Sequence, residues 1–138
     1  MIIYFDSSVL VAYYTSEERS GDAKSIIDRA SQAAISDICI AELSVVILRK
    51  QRDQFLSEAA ATAVLELFDR HVRDIFVRTR LDEALLGATR SIAKNAAVPV
   101  RTLDALHLAS AIHAGGAIAT FDERLAIAAR SMDVKVLS

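Results

Sequence analysis

The feature that most constrains this chain is an alternation of two kinds of segment. Short runs of β-branched or aromatic residues are separated by longer stretches in which apolar residues recur at helical spacing. Ile2 to Phe5, Ala33 to Ser36, Asp74 to Arg78, Ala117 to Thr120 and Val134 to Leu137 read as strands. Between them, helices are expected over Ser8 to Tyr14, Gly21 to Ala30, Ile38 to Lys50, Leu56 to His71, Leu81 to Asn95, Thr102 to Ala114 and Glu123 to Ser131. Val98-Pro99 stops the fifth helix, because the residue before proline avoids helical backbone. Gly115-Gly116 ends the sixth in the manner of a glycine C-cap. Strands that alternate with helices argue an α/β sandwich around a mainly parallel sheet.

With 138 residues, 53% of them hydrophobic, the chain is expected to form one domain over residues 1–138. No apolar run approaches the roughly 20 residues needed to span a bilayer, and the opening Met-Ile-Ile-Tyr-Phe-Asp has no basic region typical of a signal peptide. Cys39 is the single cysteine, so no intrachain disulfide forms and a reducing cytoplasm is the expected compartment. The formal net charge of −2 excludes nucleic-acid binding through bulk charge, but not through a local basic rim.

Ligands of open parallel sheets bind beyond the carboxyl ends of the strands. Asp6 directly follows the first strand, and Asp122 follows the strand at Ala117 to Thr120. The second strand leads into the helix carrying Glu42, and Asp104 lies in the first turn of its helix. Asp6 and Asp122 also read as helix N-caps, and Asp104 as a partner of the helix dipole. Glu42 is harder to explain structurally. Its helical neighbours Ile38, Cys39, Val45 and Val46 are apolar, so its carboxylate needs a basic partner or a metal ion. The helix around Asp104 is apolar almost all round, which argues burial of that acid too.

No lysine or arginine is evident on the same faces. A hard divalent cation ligated by carboxylates would balance the charges, and Mg²⁺ or Mn²⁺ suits such ligands better than zinc. His71, His107 and His113 show no zinc-ligand spacing with Cys39. A carboxylate-held cation of this kind points to phosphodiester chemistry.

Four segments carry a resemblance. Phe5-Asp6-Ser7-Ser8-Val9-Leu10, Ile40-Ala41-Glu42-Leu43, Leu103-Asp104-Ala105-Leu106-His107-Leu108-Ala109-Ser110-Ala111 and Ala119-Thr120-Phe121-Asp122 resemble, in order and spacing, the signature segments of PIN domains. They are similar above all to VapC-type toxins of toxin–antitoxin modules. The resemblance implies a three-layer α/β/α sandwich with a five-stranded, mainly parallel sheet. It also implies Mg²⁺- or Mn²⁺-dependent endoribonuclease activity, an RNA substrate, a homodimer and a small antitoxin partner. Asp6, Glu42, Asp104 and Asp122 match the catalytic, metal-binding acids of the family, with Ser7 and Thr120 at supporting positions.

His107 reads as a hydrogen-bonded structural histidine, Cys39 as a small core residue, and Tyr13 and Tyr14 as core or interface. Arg49, Lys50 and Arg52 suit a helix C-terminus, whereas Arg101, Arg124 and Arg130 are the better candidates for a basic rim. The alanine- and leucine-rich helix from Leu56 to His71, with the helix before it, is the expected dimer contact. A dehalogenase-like phosphatase would want a second acid two residues after Asp6, where Ser8 stands. The remaining alternative is a catalytically silent PIN-like module that binds RNA or a partner.

Overall fold

The computed structural model describes residues 1–138. In chain order its elements are β1 (Ile2–Phe5), α1 (Ser7–Tyr14), α2 (Ser20–Ile27), β2 (Gln32–Ser36), α3 (Asp37–Arg52), α4 (Glu58–Asp74), β3 (Val77–Thr79), α5 (Glu83–Asn95), α6 (Thr102–Ala114), β4 (Ala117–Ala119), α7 (Glu123–Ser131) and β5 (Val136–Leu137). All strand pairs are parallel, in the order β3-β2-β1-β4-β5. The expected α/β/α sandwich with a five-stranded sheet is the observed fold.

Strand β1 is central because its side chains have no water to face. Ile3, Tyr4 and Phe5 are fully buried, and so are Ile35 and Ile118 on the flanking strands. Burying each large apolar side chain contributes about 1.5–3 kcal/mol, and a parallel strand covered on both faces is made of such residues. Parallel neighbours need crossovers, and right-handed crossovers place α1 to α4 on one face and α5 to α7 on the other. The packing agrees: α3 lies against α1 and α4, and α6 against α5, α7 and the sheet.

The chain moves outward from β1 to β2 and β3, then returns across the sheet to β4 and β5. Its switch point therefore lies between β1 and β4, where a crevice opens beyond their carboxyl ends. Gly116 makes the return possible. A Cβ there would stand 2.3 Å from the carbonyl oxygen of Ile2, so only glycine lets the chain enter β4 beside β1. Gly115 before it takes the left-handed conformation, φ 74°, that closes α6.

Several boundaries differ from the sequence expectation by one to three residues, among them the end of α2 at Ile27 and the start of β5 at Val136, and two have a clear local cause. Asp74 ends α4 and does not begin a strand, since no breaker interrupts the helix after His71. The next strand starts at Val77, after Ile75 and Phe76 donate back to the His71 carbonyl. Helix α5 begins at Glu83, two residues later than expected, because the Asp82 carboxylate accepts from the Leu85 amide at 2.9 Å and fixes the cap.

Candidate active site

The four acids singled out by sequence line one cavity of about 500 Å³ at the switch point, together with Ser7, Ser8, Arg101, Thr102 and His107. Each is delivered by a different part of the sheet edge. Asp6 is the N-cap of α1, immediately after β1. Glu42 sits on α3, Asp104 in the first turn of α6, and Asp122 at the N-cap of α7 after β4. Asp6 and Asp122 are thus helix N-caps that also line the cavity. Capping is what holds both carboxylates at the crevice.

Asp6 is the most constrained of the four, with only 3% of its surface exposed. Its Oδ1 accepts from Ser8 Oγ at 2.6 Å and from the Val9 amide at 3.2 Å, and its Oδ2 accepts from Thr120 Oγ1 at 2.5 Å. Burial pushes its pKa above the ordinary aspartate value. The Ser8 and Thr120 hydroxyls, the nearby His107 charge and the Val9 amide work against that rise. Thr120 Oγ1 also accepts from the Asp122 amide at 3.0 Å, so one hydroxyl ties the first acid to the backbone of the fourth. Ser8 was not distinguished by the sequence reading, yet it bonds Asp6 and accepts from the Phe121 amide at 2.9 Å. Its spacing of two residues after an aspartate is the one local signal of that role. Ser7 lines the cavity.

Glu42 has a basic partner that the sequence reading did not assign to it. His107 Nε2 lies 2.5 Å from Glu42 Oε1. Of the apolar neighbours that framed Glu42, Ile38 and Cys39 are buried but Val45 is exposed, so the carboxylate stands at the margin of the core with 26% of its side chain exposed. The other ring nitrogen of His107 is 2.8 Å from the Tyr4 hydroxyl, which also bonds Ser36 Oγ at 2.8 Å. Cys39 donates to the Phe5 carbonyl at 3.2 Å, as a small core residue. Burial alone would lower the imidazole pKa. The bonds to Cys39 and Glu42, and the Glu42 charge, override it and hold His107 up to about 10. His107 is thus the hydrogen-bonded histidine the sequence argued, and the cation facing Glu42 as well.

Asp104 is buried as expected, and it too has a partner in the chain. The Arg101 guanidinium is 3.7 Å from its Oδ2, and the Arg101 amide donates to the same oxygen at 3.4 Å. Asp122 accepts through Oδ1 from the Arg124 and Leu125 amides at 2.9 and 3.3 Å. Glu42 Oε2, Asp104 Oδ1 and Asp122 Oδ2 take part in no hydrogen bond within the chain. The donor chemistry therefore fits a hard cation: partly buried carboxylates share one cavity and keep oxygens unengaged. The side chains stand further apart than a closed cluster, since no three His, Cys, Asp or Glu groups lie close enough to hold an ion together.

Of the expected basic rim, Arg101 lines the cavity, and Arg124 lies next to it on α7. Arg130 instead pairs with Glu123 at 3.8 Å. Tyr14 packs edge-on against Tyr13 and Phe68, and its hydroxyl is 2.6 Å from His71 Nδ1.

The profile of the PIN domain family matches residues 3–131, and the chain belongs to that family. Solved structures share its fold at low identity. The VapC20 toxin of Mycobacterium tuberculosis, described as cleaving the sarcin–ricin loop, superposes with a TM-score of 0.68 at 18% identity, covering 91% of this chain and 94% of the toxin. FitAcB of Neisseria gonorrhoeae gives 0.71 at 20% identity, with 99% and 96% covered. VapBC2 of Rickettsia felis, bound to a promoter DNA fragment, gives 0.66 at 13% identity, with 99% and 97% covered. No curated protein matches the chain by sequence. No helix is long and apolar enough to cross a membrane.

Proposed function

We propose that this protein is a Mg²⁺- or Mn²⁺-dependent endoribonuclease, the toxin component of a toxin–antitoxin module. The observation that carries the reading is the convergence of Asp6, Glu42, Asp104 and Asp122 on one cavity at the sheet's switch point. These four would hold the cation, with Thr120 and Ser7 in support. A bound divalent ion supplies charge stabilisation to phosphoryl and leaving oxygens.

The chain's own residues do the rest. Ser8, Val9 and Thr120 fix Asp6 so that it does not reorient at the moment of reaction. His107 holds Glu42 by one oxygen, which leaves Oε2 facing the cavity as the oxygen that would ligate the cation. Arg101 and Arg124 offset the negative charge of the approaching phosphodiester.

RNA as substrate is supported by family membership and by the similarity to the sarcin–ricin-loop-cleaving toxin. A small antitoxin partner is supported by the likeness in fold to a toxin–antitoxin complex from Klebsiella pneumoniae, at a TM-score of 0.67 and 16% identity. A homodimer is supported by the stripe of Ala59, Ala63 and Leu67 on the outer face of α4, beside the exposed Val45 and Leu48 of α3. The lone buried cysteine is compatible with a reducing cytoplasm. One observation favours the silent, RNA- or partner-binding alternative: the acids do not close into a metal-holding cluster.

Incubation of purified protein with labelled RNA separates the two readings. Cleavage that needs Mg²⁺ or Mn²⁺ and stops with EDTA is expected. RNA left intact at millimolar metal would remove the ribonuclease reading and leave the binding module.

A further inference from the structure

A second groove, of about 330 Å³, opens directly beside the acidic cavity and shares Arg101 and Asp104 with it. It runs over the start of α6 and the side of α7, between Val98-Pro99-Val100 on one wall and Ile127 on the other, with Arg124 at its edge. One of its two cations is unpaired, and the other is paired but largely exposed. Arg124 has no carboxylate within ion-pair distance, unlike Arg130 on the same helix, which is paired with Glu123. Arg101 pairs with Asp104 at 3.7 Å, and 62% of its side chain remains exposed. Ile127 is 47% exposed, an apolar side chain left uncovered among charges.

We propose that this groove is a nucleotide subsite for single-stranded RNA. Resting on the ribonuclease reading, it takes the nucleotide next to the scissile bond. Arg101 and Arg124 receive its phosphate, and the base lies against the aliphatic walls. Guanidinium groups present several N–H donors in a planar fork that matches phosphate, and they stack on base faces. The volume is at the small end of ligand sites, about 300–1,000 Å³, so it has room for one nucleotide unit and not for a paired helix. The shared residues Arg101 and Asp104 make the groove continuous with the acidic cavity. In a chain of net charge −2, this is where a polyanion meets cations beside the four acids.

The test is fluorescence anisotropy with a labelled single-stranded RNA 12-mer and the same sequence as a duplex, in EDTA so that no turnover occurs. Arg124 is exposed on α7, so Arg124→Ala is expected to keep the fold. It is expected to raise the Kd for the single strand about 5- to 10-fold and to lower the salt slope of binding by roughly 0.7, the loss of one phosphate contact on a single strand. Arg124→Lys should recover part of both, and Ile127→Asp should weaken binding with no change in melting temperature. The duplex should bind more weakly than the single strand. An unchanged Kd and salt slope in Arg124→Ala would overturn the subsite, as would equal binding of duplex and single strand, or no RNA binding by the wild type. Because binding is read without metal, failure of the ribonuclease reading shows separately, in the cleavage assay.

Discussion

His107 Nε2 sits 2.5 Å from Glu42 Oε1, and these residues come from helices on opposite faces of the sheet. The pair spans the open end of the sheet beneath the cavity. Behind it, the Tyr4 hydroxyl holds the other ring nitrogen at 2.8 Å, so the imidazole is fixed from both sides.

Removing that histidine should cost stability as well as position. His107→Ala leaves the Tyr4 hydroxyl without its ring partner and Glu42 without its donor. A loss of about 1–3 kcal/mol is expected from unsatisfied buried polar groups. His107→Gln keeps a donor and should recover part of it. Urea unfolding of the three proteins checks this, and a change under about 0.5 kcal/mol for His107→Ala would contradict the role assigned to the pair.

Two groups of the site contribute to the pH dependence of the metal-free protein. His107 has a folded pKa raised from 6.5 to about 10, so its stabilising contribution is complete below about pH 6.5 and is lost as pH rises towards 10. Asp6 also has a raised folded pKa, so the fold favours its protonated form and its contribution too is lost as pH rises. Melting temperature in EDTA should therefore fall between pH 6.5 and 9.5, with a shallower fall in His107→Gln. A melting temperature that climbs across this window would contradict the His107 assignment.

Thr120 is the link between Asp6 and Asp122. Thr120→Val keeps the shape but removes the donor to Asp6 Oδ2 and the acceptor for the Asp122 amide. A destabilisation of about 1–3 kcal/mol follows from the buried groups left unpaired. Cleavage should drop by more than tenfold while RNA binding persists. Wild-type stability and cleavage in this variant would show that the hydroxyl is incidental.

Metal should act on stability through mass action, since an ion that binds only the folded state raises its melting temperature. Millimolar Mg²⁺ or Mn²⁺ is expected to raise it by several degrees, and Glu42→Gln to blunt the rise. Calorimetry that finds no divalent binding at millimolar concentration would refute the proposed site.

Much of the fold was legible because the two periods differ so clearly along the chain. The all-buried run Ile3-Tyr4-Phe5 and the glycines after α6 left little choice of architecture. Asp6, Asp104 and Asp122 were legible because each follows a strand or opens a helix, which places it at a known edge, and Glu42 because its helical neighbours are mostly apolar. Partners across long separations were not. Nothing local connects Tyr4 to His107, 103 residues apart, or Thr120 to Asp6, 114 apart. Such pairs arise only when the sheet brings β1, β4 and α6 together, and residue-by-residue propensity carries no record of that meeting. Arg101 escaped notice as a partner for Asp104 because it lies just before the helix, outside the faces by which the acid was judged.

The central claim is that Asp6 acts as a catalytic ligand and not only as a cap. Asp6→Asn keeps the volume and the capping oxygen, and it removes the negative charge that a hard cation needs. Its burial means that charge removal should not lower the melting temperature. The decisive measurement is single-turnover RNA cleavage in Mn²⁺ by wild type and Asp6→Asn at matched folding, judged by circular dichroism. The account predicts a loss of ~100-fold or more, several kcal/mol of transition-state stabilisation, in a folded protein that still binds RNA. Wild-type cleavage by Asp6→Asn would contradict it.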